Sequence, residues 1–219
     1  KGVVRNFMGL VYAAPAGEYD YFAIADQDDI WHSDKISLTL SRMHQLESND
    51  DQRSLLVHTN VTLIDSNGRQ LHPDLWQYAG LHPQILDADI HFLAMCNCVL
   101  GCTCMMNRRA VDDALPFPPH VAMHDAWLGL QTCRHGTIGY VAQPTMDYRQ
   151  HDDNQFGAKA YHFSLLDRLL SLGQLWQRDR RSYQAARGIA FRSMAGFIWH
   201  KMRYFYILHI EKRQRKIPL

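Results

Sequence analysis

A chain of 219 residues, 47% of them hydrophobic, is long enough for one sizeable core or for a domain with an appendage. Its formal charge of +1 hides a split: residues 1–160 hold 11 Lys and Arg against 19 Asp and Glu, while residues 161–219 hold 12 against 3. The five cysteines are odd in number with no secretory pattern before them, which argues against a disulfide framework and for a reducing, cytoplasmic setting.

The elements follow in chain order. Val3, Val4, Phe7, Met8 and Val11 recur at helical spacing over residues 3–14, and Pro15 and Gly17 end the run. The pattern opens inside a helix at Lys1, without a methionine, so the N-terminal part of a larger domain is expected ahead of it. Residues 19–25 read as a strand that runs directly into Asp26-Gln27-Asp28-Asp29-Ile30-Trp31. Open α/β sheets bind ligands at the carboxyl ends of their strands. Three carboxylates this close repel one another unless a cation lies between them. A hard divalent cation suits them and keeps positions open for phosphate oxygens. The plainer reading is an acidic turn ahead of a helix over 34–47, capped by Ser33 and patterned by Ile36, Leu40, Met43 and Leu46.

Residues 55–64 are β-prone, and Asp65-Ser66-Asn67-Gly68 is a turn. Residues 71–90, broken by Pro73, Gly80 and Pro83, read as a long loop with short helical pieces. Residues 92–106 are β-compatible. There Cys96, Cys98, Cys102 and Cys104 share parity, which on a strand makes them small buried apolar groups on one face; a zinc site needs different spacing. A short helix begins at Asn107, residues 116–119 form a rigid connector, 124–133 a helix, 137–142 a strand and 146–150 another. Strands alternating with helices argue an α/β domain over 1–160. Residues 161–219 read as a basic, aromatic-rich helical extension.

In that extension Arg192, Lys201 and Arg203 interrupt every apolar stretch short of the roughly 18 residues that a membrane span needs. Two readings stand: a basic amphipathic helix on an anionic membrane surface, or a helix packed on the domain with a solvated basic face. No nucleic-acid motif accompanies the charge, so no nucleic-acid partner is expected.

Four motifs in order, Asp26-Gln27-Asp28-Asp29-Ile30-Trp31, then Asn97, Gly101 and Asn107, then His124-Asp125-Ala126-Trp127, then Tyr148-Arg149-Gln150-His151 with Asn154 and Gly157, resemble glycosyltransferase family 2. Within it they are similar to bacterial rhamnosyltransferase-like enzymes of polysaccharide and cell-envelope assembly. The resemblance covers most of residues 1–160. It implies a GT-A fold, Rossmann-like, here lacking its first strands and the base-binding Asp they carry. It implies a metal-dependent inverting transfer of a sugar, by a hexosyltransferase type of enzyme, from a nucleotide-diphosphate donor to a hydroxyl of a glycan or lipid-linked acceptor. A partial domain of this kind binds its donor weakly or is inactive.

Carried over by position, Asp28 is the direct ligand of Mg2+ or Mn2+, Asp26 faces the ribose or a metal-bound water, and Asp29 extends the acidic, donor-binding edge. Asp125 matches the catalytic base; a carboxylate in the first turn of a helix is also an ordinary cap. His151 matches a late histidine near metal or diphosphate. Arg149 contacts the donor phosphate or pairs with nearby acids. Trp31, Trp127 and His124 wall the sugar or acceptor pocket, although aromatic residues there also serve a core. Asn97 bonds sugar hydroxyls and Gly101 permits close backbone approach, or both mark a bulge in a buried strand. A phosphoesterase would need two ions about 4 Å apart and more ligands than these residues supply. The non-enzyme alternative is a membrane-docking or scaffolding module whose truncated transferase site does not function.

Overall fold

The computed structural model describes residues 18–48, 52–118, 123–150 and 186–215, with isolated positions in 6–13 and 180–184. The helix expected over 3–14 falls largely outside them, although Asn6, Phe7, Gly9, Leu10 and Ala13 are helical. His151, Asn154 and Gly157 lie outside the described residues.

The architecture is mixed α/β. The strands are β1 (Tyr21–Ala23), β2 (Ile30–Trp31), β3 (Ser54–Ile64), β4 (Gln70–His72), β5 (Met105–Asn107) and β6 (Gly136–Arg149). The helices are α1 (Lys35–Glu47), α2 (Leu75–Ala79), α3 (Pro83–Leu86), α4 (Ile90–Met95), α5 (Arg108–Asp113), α6 (His124–His135) and α7 (Met194–Arg215). The sheet order is β1-β5-β3-β6-β2, with β4 on β3. β3 and β6 are parallel, and β1 and β3 each run antiparallel to β5, so β1 and β3 point the same way.

β3 is buried along nearly all its length because both its faces are covered. Leu56 packs with Phe92, Leu93, Leu128 and Ile138 on the α4–α6 side. Leu55 and Val57 pack with Met43 and Leu46 of α1 on the other. The long segment 71–90 supplies a third cluster, Leu75 and Trp76 on Val61, Leu63 and Met146.

Three expectations change. First, α1 buries Lys35, Thr39, Met43 and Leu46, whereas Ile36 is exposed; its N-cap is Asp34 rather than Ser33, without a side-chain bond. The helix is therefore rotated to turn a lysine inward. Second, residues 92–106 are not one strand. They form α4, a loop, a 3-10 turn (Gly101–Thr103) and the short β5. Asp89 caps α4 by accepting the N–H of His91 at 2.9 Å, which commits that end to helix. Cys98, Cys102 and Cys104 are nonetheless buried. Third, the two strands expected over 137–142 and 146–150 are one, β6, which runs through Pro144 where its register against β3 shifts. Proline has no N–H to give the ladder, and the irregularity absorbs it.

Asn107 joins these parts. Its Oδ1 caps α5 through the N–H of Ala110 (2.9 Å) and accepts the N–H of Leu55 (3.0 Å), while its Nδ2 donates to Arg53 O (2.8 Å).

Candidate active site

β1 ends at Ala23, which pairs with Met105 at the start of β5. That register brings the chain leaving β1, Ile24 to Asp29, beside the chain entering β5, Gly101 to Cys104. The backbone N–H of Gly101 donates to Asp125 Oδ2 at 3.2 Å, which adds the N-terminus of α6 to the same place. Asp29 precedes β2, whose partner is the end of β6. Its Oδ1 accepts the N–H of Arg149 at 3.0 Å.

One carboxylate oxygen each from Asp26 and Asp29 and the sulfur of Cys102 lie within 4.8 Å of one another. Asp28, expected to be the direct metal ligand, stands outside this trio. Its backbone carbonyl accepts Arg149 Nε–H at 2.9 Å. Asp29 Oδ2 is buried without a hydrogen-bond partner. An orphaned carboxylate oxygen beside another acid and a thiol fits a cation.

The electrostatics agree with that fit. Burial and the neighbouring Asp28 push Asp26 above the usual carboxylate range. Burial pushes Asp29 up to about 6, against the Arg149 N–H and the Cys102 thiol. Burial also pushes Asp125 up to about 6, opposed by the N–H groups of Ala126 and Gly101 and reinforced by the Asp26 charge. The influence of Asp26 on Asp125 places the two acids in one field. Burial likewise raises the Cys102 thiol, with Asp29 and Asp26 adding to it.

Lys35 is a part of this site that the sequence reading missed. It is only 2% exposed, its Nζ lies 3.5 Å from Thr145 Oγ1 and from Met146 Sδ, and it sits 5.0 Å from the centre of the Trp31 ring. Burial lowers its pKa, with Cys102, Cys104 and Asp29 opposing that shift. Its signal in the sequence was a local conflict. A lysine at the first position of a helix faces the positive end of the dipole, which only tertiary partners offset.

His124 is buried with neither ring nitrogen bonded, and its ring stacks on Phe7 with centroids 4.6 Å apart. Burial lowers its pKa to about 4, so the imidazole is neutral at pH 7. A Cβ on Gly101 would stand 2.6 Å from His124 Nε2, so a glycine is what lets the turn reach both His124 and Asp125.

The remaining candidates are placed in the scaffold. Arg149 donates from Nη1 to Asp65 O and Ser66 O, both at 3.1 Å, clasping the β3–β4 turn to the acidic loop. Trp127 donates its indole N–H to Ala114 O at 2.9 Å and meets Phe117 edge-on, which is core packing. The Asn97 amide closes on Val99, donating to its carbonyl at 2.8 Å and accepting its N–H at 3.2 Å. Trp31 rests half-buried against the cluster of Val61, Leu63 and Trp76. Among the described residues, no helix is long and apolar enough to cross a membrane.

No family model matches the chain. A dTDP-rhamnosyl transferase of Shigella flexneri, RfbG, is 27% identical to it over 189 residues, which are 81% of this chain and 59% of that protein. The chain therefore spans about 59% of the length of the curated relative it matches.

Proposed function

We propose that this chain is the metal-dependent, inverting glycosyltransferase part of a GT-A enzyme, with a nucleoside-diphosphate sugar as donor and a glycan hydroxyl as acceptor. The relative's name supports dTDP-rhamnose as the donor to try first. The observation that carries the reading is the meeting of two kinds of acid. Asp26 and Asp29 lie between β1 and β2 beside the Cys102 thiol, while Asp125 arrives separately on α6 and is held by the N–H of Gly101, the residue before Cys102.

Asp26, Asp29 and Cys102 would hold a divalent cation. The two carboxylates are hard oxygen donors, which suit Mg2+ or Mn2+. When bound, the cation supplies positive charge to the donor diphosphate as the leaving group develops its own negative charge.

The protein's own residues do the rest. Gly101 and Ala126 point their N–H groups at the two oxygens of Asp125, at 3.2 and 2.6 Å, and so fix its orientation. A carboxyl pushed up to about 6 is still ionised at pH 7, yet more basic than an exposed aspartate. It takes the proton of the acceptor hydroxyl as that oxygen bonds to the anomeric carbon. The bond from that carbon to the diphosphate oxygen breaks, and its electron pair leaves with the diphosphate. Attack from the face opposite the leaving group inverts the centre. Neutral His124, its nitrogens unbonded beside Asp125, offers a hydrogen-bonding group to a sugar hydroxyl without adding charge.

The test uses calorimetry with dTDP and Mn2+, followed by turnover of dTDP-rhamnose, on the full chain. Mn2+-dependent dTDP binding that Asp26→Asn with Asp29→Asn abolishes is the expected result. Binding of dTDP that ignores both Mn2+ and these substitutions overturns the reading.

A further inference from the structure

α7 has two apolar faces, and one of them packs on the other described residues. On the inner face Tyr204 is buried against Phe92 at 5.4 Å between ring centres, and His200 stacks on His91 at 3.7 Å. Arg203 reaches Asp89 at 2.9 Å, and Phe197 packs on Phe191 at 5.0 Å. On the other side Ile198, Trp199, Met202, Phe205 and Tyr206 are 40–66% exposed. They are five of the ten large hydrophobic side chains exposed among the described residues. Their spacing of one, four, seven and eight from Ile198 confines them to an arc of about 120° on a helix. Lys201 and Arg203 border that arc.

We infer that this stripe is an interfacial surface that lays α7 on an anionic lipid bilayer. Its composition fits that partner. Trp, Tyr and Phe prefer the level of lipid headgroups, and an apolar arc edged by cations binds where acyl chains meet anionic headgroups. Besides Arg203, which is paired with Asp89, the helix sequence holds Lys201, Lys212, Arg213 and Arg215 against Glu211, and residues 161–219 hold 12 basic to 3 acidic residues. Each cation near an anionic leaflet adds attraction that salt screens. A second copy of the chain fits less well, because a two-fold contact through the stripe brings like cations together. The inner contacts keep the helix fixed to α4, which packs with α6, so the bilayer meets a preformed surface on the element chain that carries Asp125. The inference stands on α7 alone and does not depend on the transferase reading.

The experiment is co-sedimentation of the full chain with vesicles of phosphatidylcholine alone or mixed with phosphatidylglycerol, at low and high salt. Binding is expected only to the mixed vesicles, weaker in high salt, and reduced on the order of 30–100-fold by Trp199→Ser with Phe205→Ser. Circular dichroism and thermal unfolding of the variant verify its fold. Amide exchange of the wild type is the second measurement, with protection of residues 198–206 on adding mixed vesicles. The absence of binding, equal binding to both vesicles without protection of α7, or a dimer in light scattering that the double substitution dissolves, each overturns the inference.

Discussion

Two groups of acids in this chain are handled in opposite ways. Asp89, at the start of α4, accepts the His91 backbone N–H at 2.9 Å, the His91 ring at 2.7 Å and Arg203 Nη1 at 2.9 Å. Burial pushes it up, but these partners more than offset that and leave it below the usual carboxylate range. Asp26, Asp29 and Asp125 are as buried or more so, yet backbone N–H groups and a thiol are their named donors, and all three are raised. Lys35, the cation beneath them, contacts Thr145 and Met146 at 3.5 Å instead of closing on a carboxylate. The α4 acid is finished by its own fold and holds α7 in place. In the proposed function, Asp26 and Asp29 would meet a cation that comes with the donor, and Asp125 a proton from the acceptor.

The largest expected effect breaks this contrast at Asp125. Asp125→Asn keeps the shape but only one of the two N–H contacts, since the amide nitrogen cannot accept, and it removes the base, so turnover falls about 10²–10⁴-fold while Mn2+-dependent dTDP affinity is retained. Unchanged turnover would falsify the assignment of Asp125 as base. Next, the two acid groups should respond to neutralisation with opposite signs. Asp26→Asn with Asp29→Asn relieves repulsion and raises the melting temperature in metal-free buffer. Asp89→Asn removes the Arg203 ion pair and weakens the cap, lowering stability by about 1 kcal/mol. Thermal scans of both variants decide it, and a shared sign removes the distinction.

Acid pH offers a third, smaller test. Asp29 and Asp125 are raised to about 6, above their unfolded values, so the folded state binds their protons first and gains stability as pH falls from 7 toward 4. His124 is lowered to about 4, so the unfolded state protonates first and stability is lost over the same window. The two trends oppose each other. His124→Asn leaves the carboxylate trend alone, and its melting temperature is expected to rise between pH 7 and 5 by more than that of the wild type. A parallel profile for the two proteins would remove His124 from the balance. The smallest effect belongs to Lys35→Met. Replacing a buried ammonium with an apolar chain of similar length leaves the fold intact and tightens Mn2+ binding a few-fold, read by calorimetry. Weaker Mn2+ binding would mean that Lys35 shapes the ligands rather than opposing the ion.

Periodicity and caps determined much of this protein from the sequence alone. The strand before Asp26, the long strand at 54–64, the turn at 65–68 and the helix opening at His124 are local patterns, and each formed close to where its pattern lies. That helix start also set Asp125 in its first turn, whereas the role of base came from the resemblance, since the pattern alone suits an ordinary cap equally. Segment 92–106 was misread because a cysteine-rich apolar run suits a strand and a buried loop equally, and the Asp89 cap settled its first half as helix. Tertiary structure decided which polar atoms meet. The pairing of Ala23 with Met105 brought Cys102 and Gly101 to the acids, the end of β6 delivered the Arg149 N–H to Asp29, and the rotation of α1 turned Lys35 under both. A run of residues encodes its own period and caps, whereas the neighbours of a carboxylate come from strands far apart in the chain, and those neighbours determine its charge.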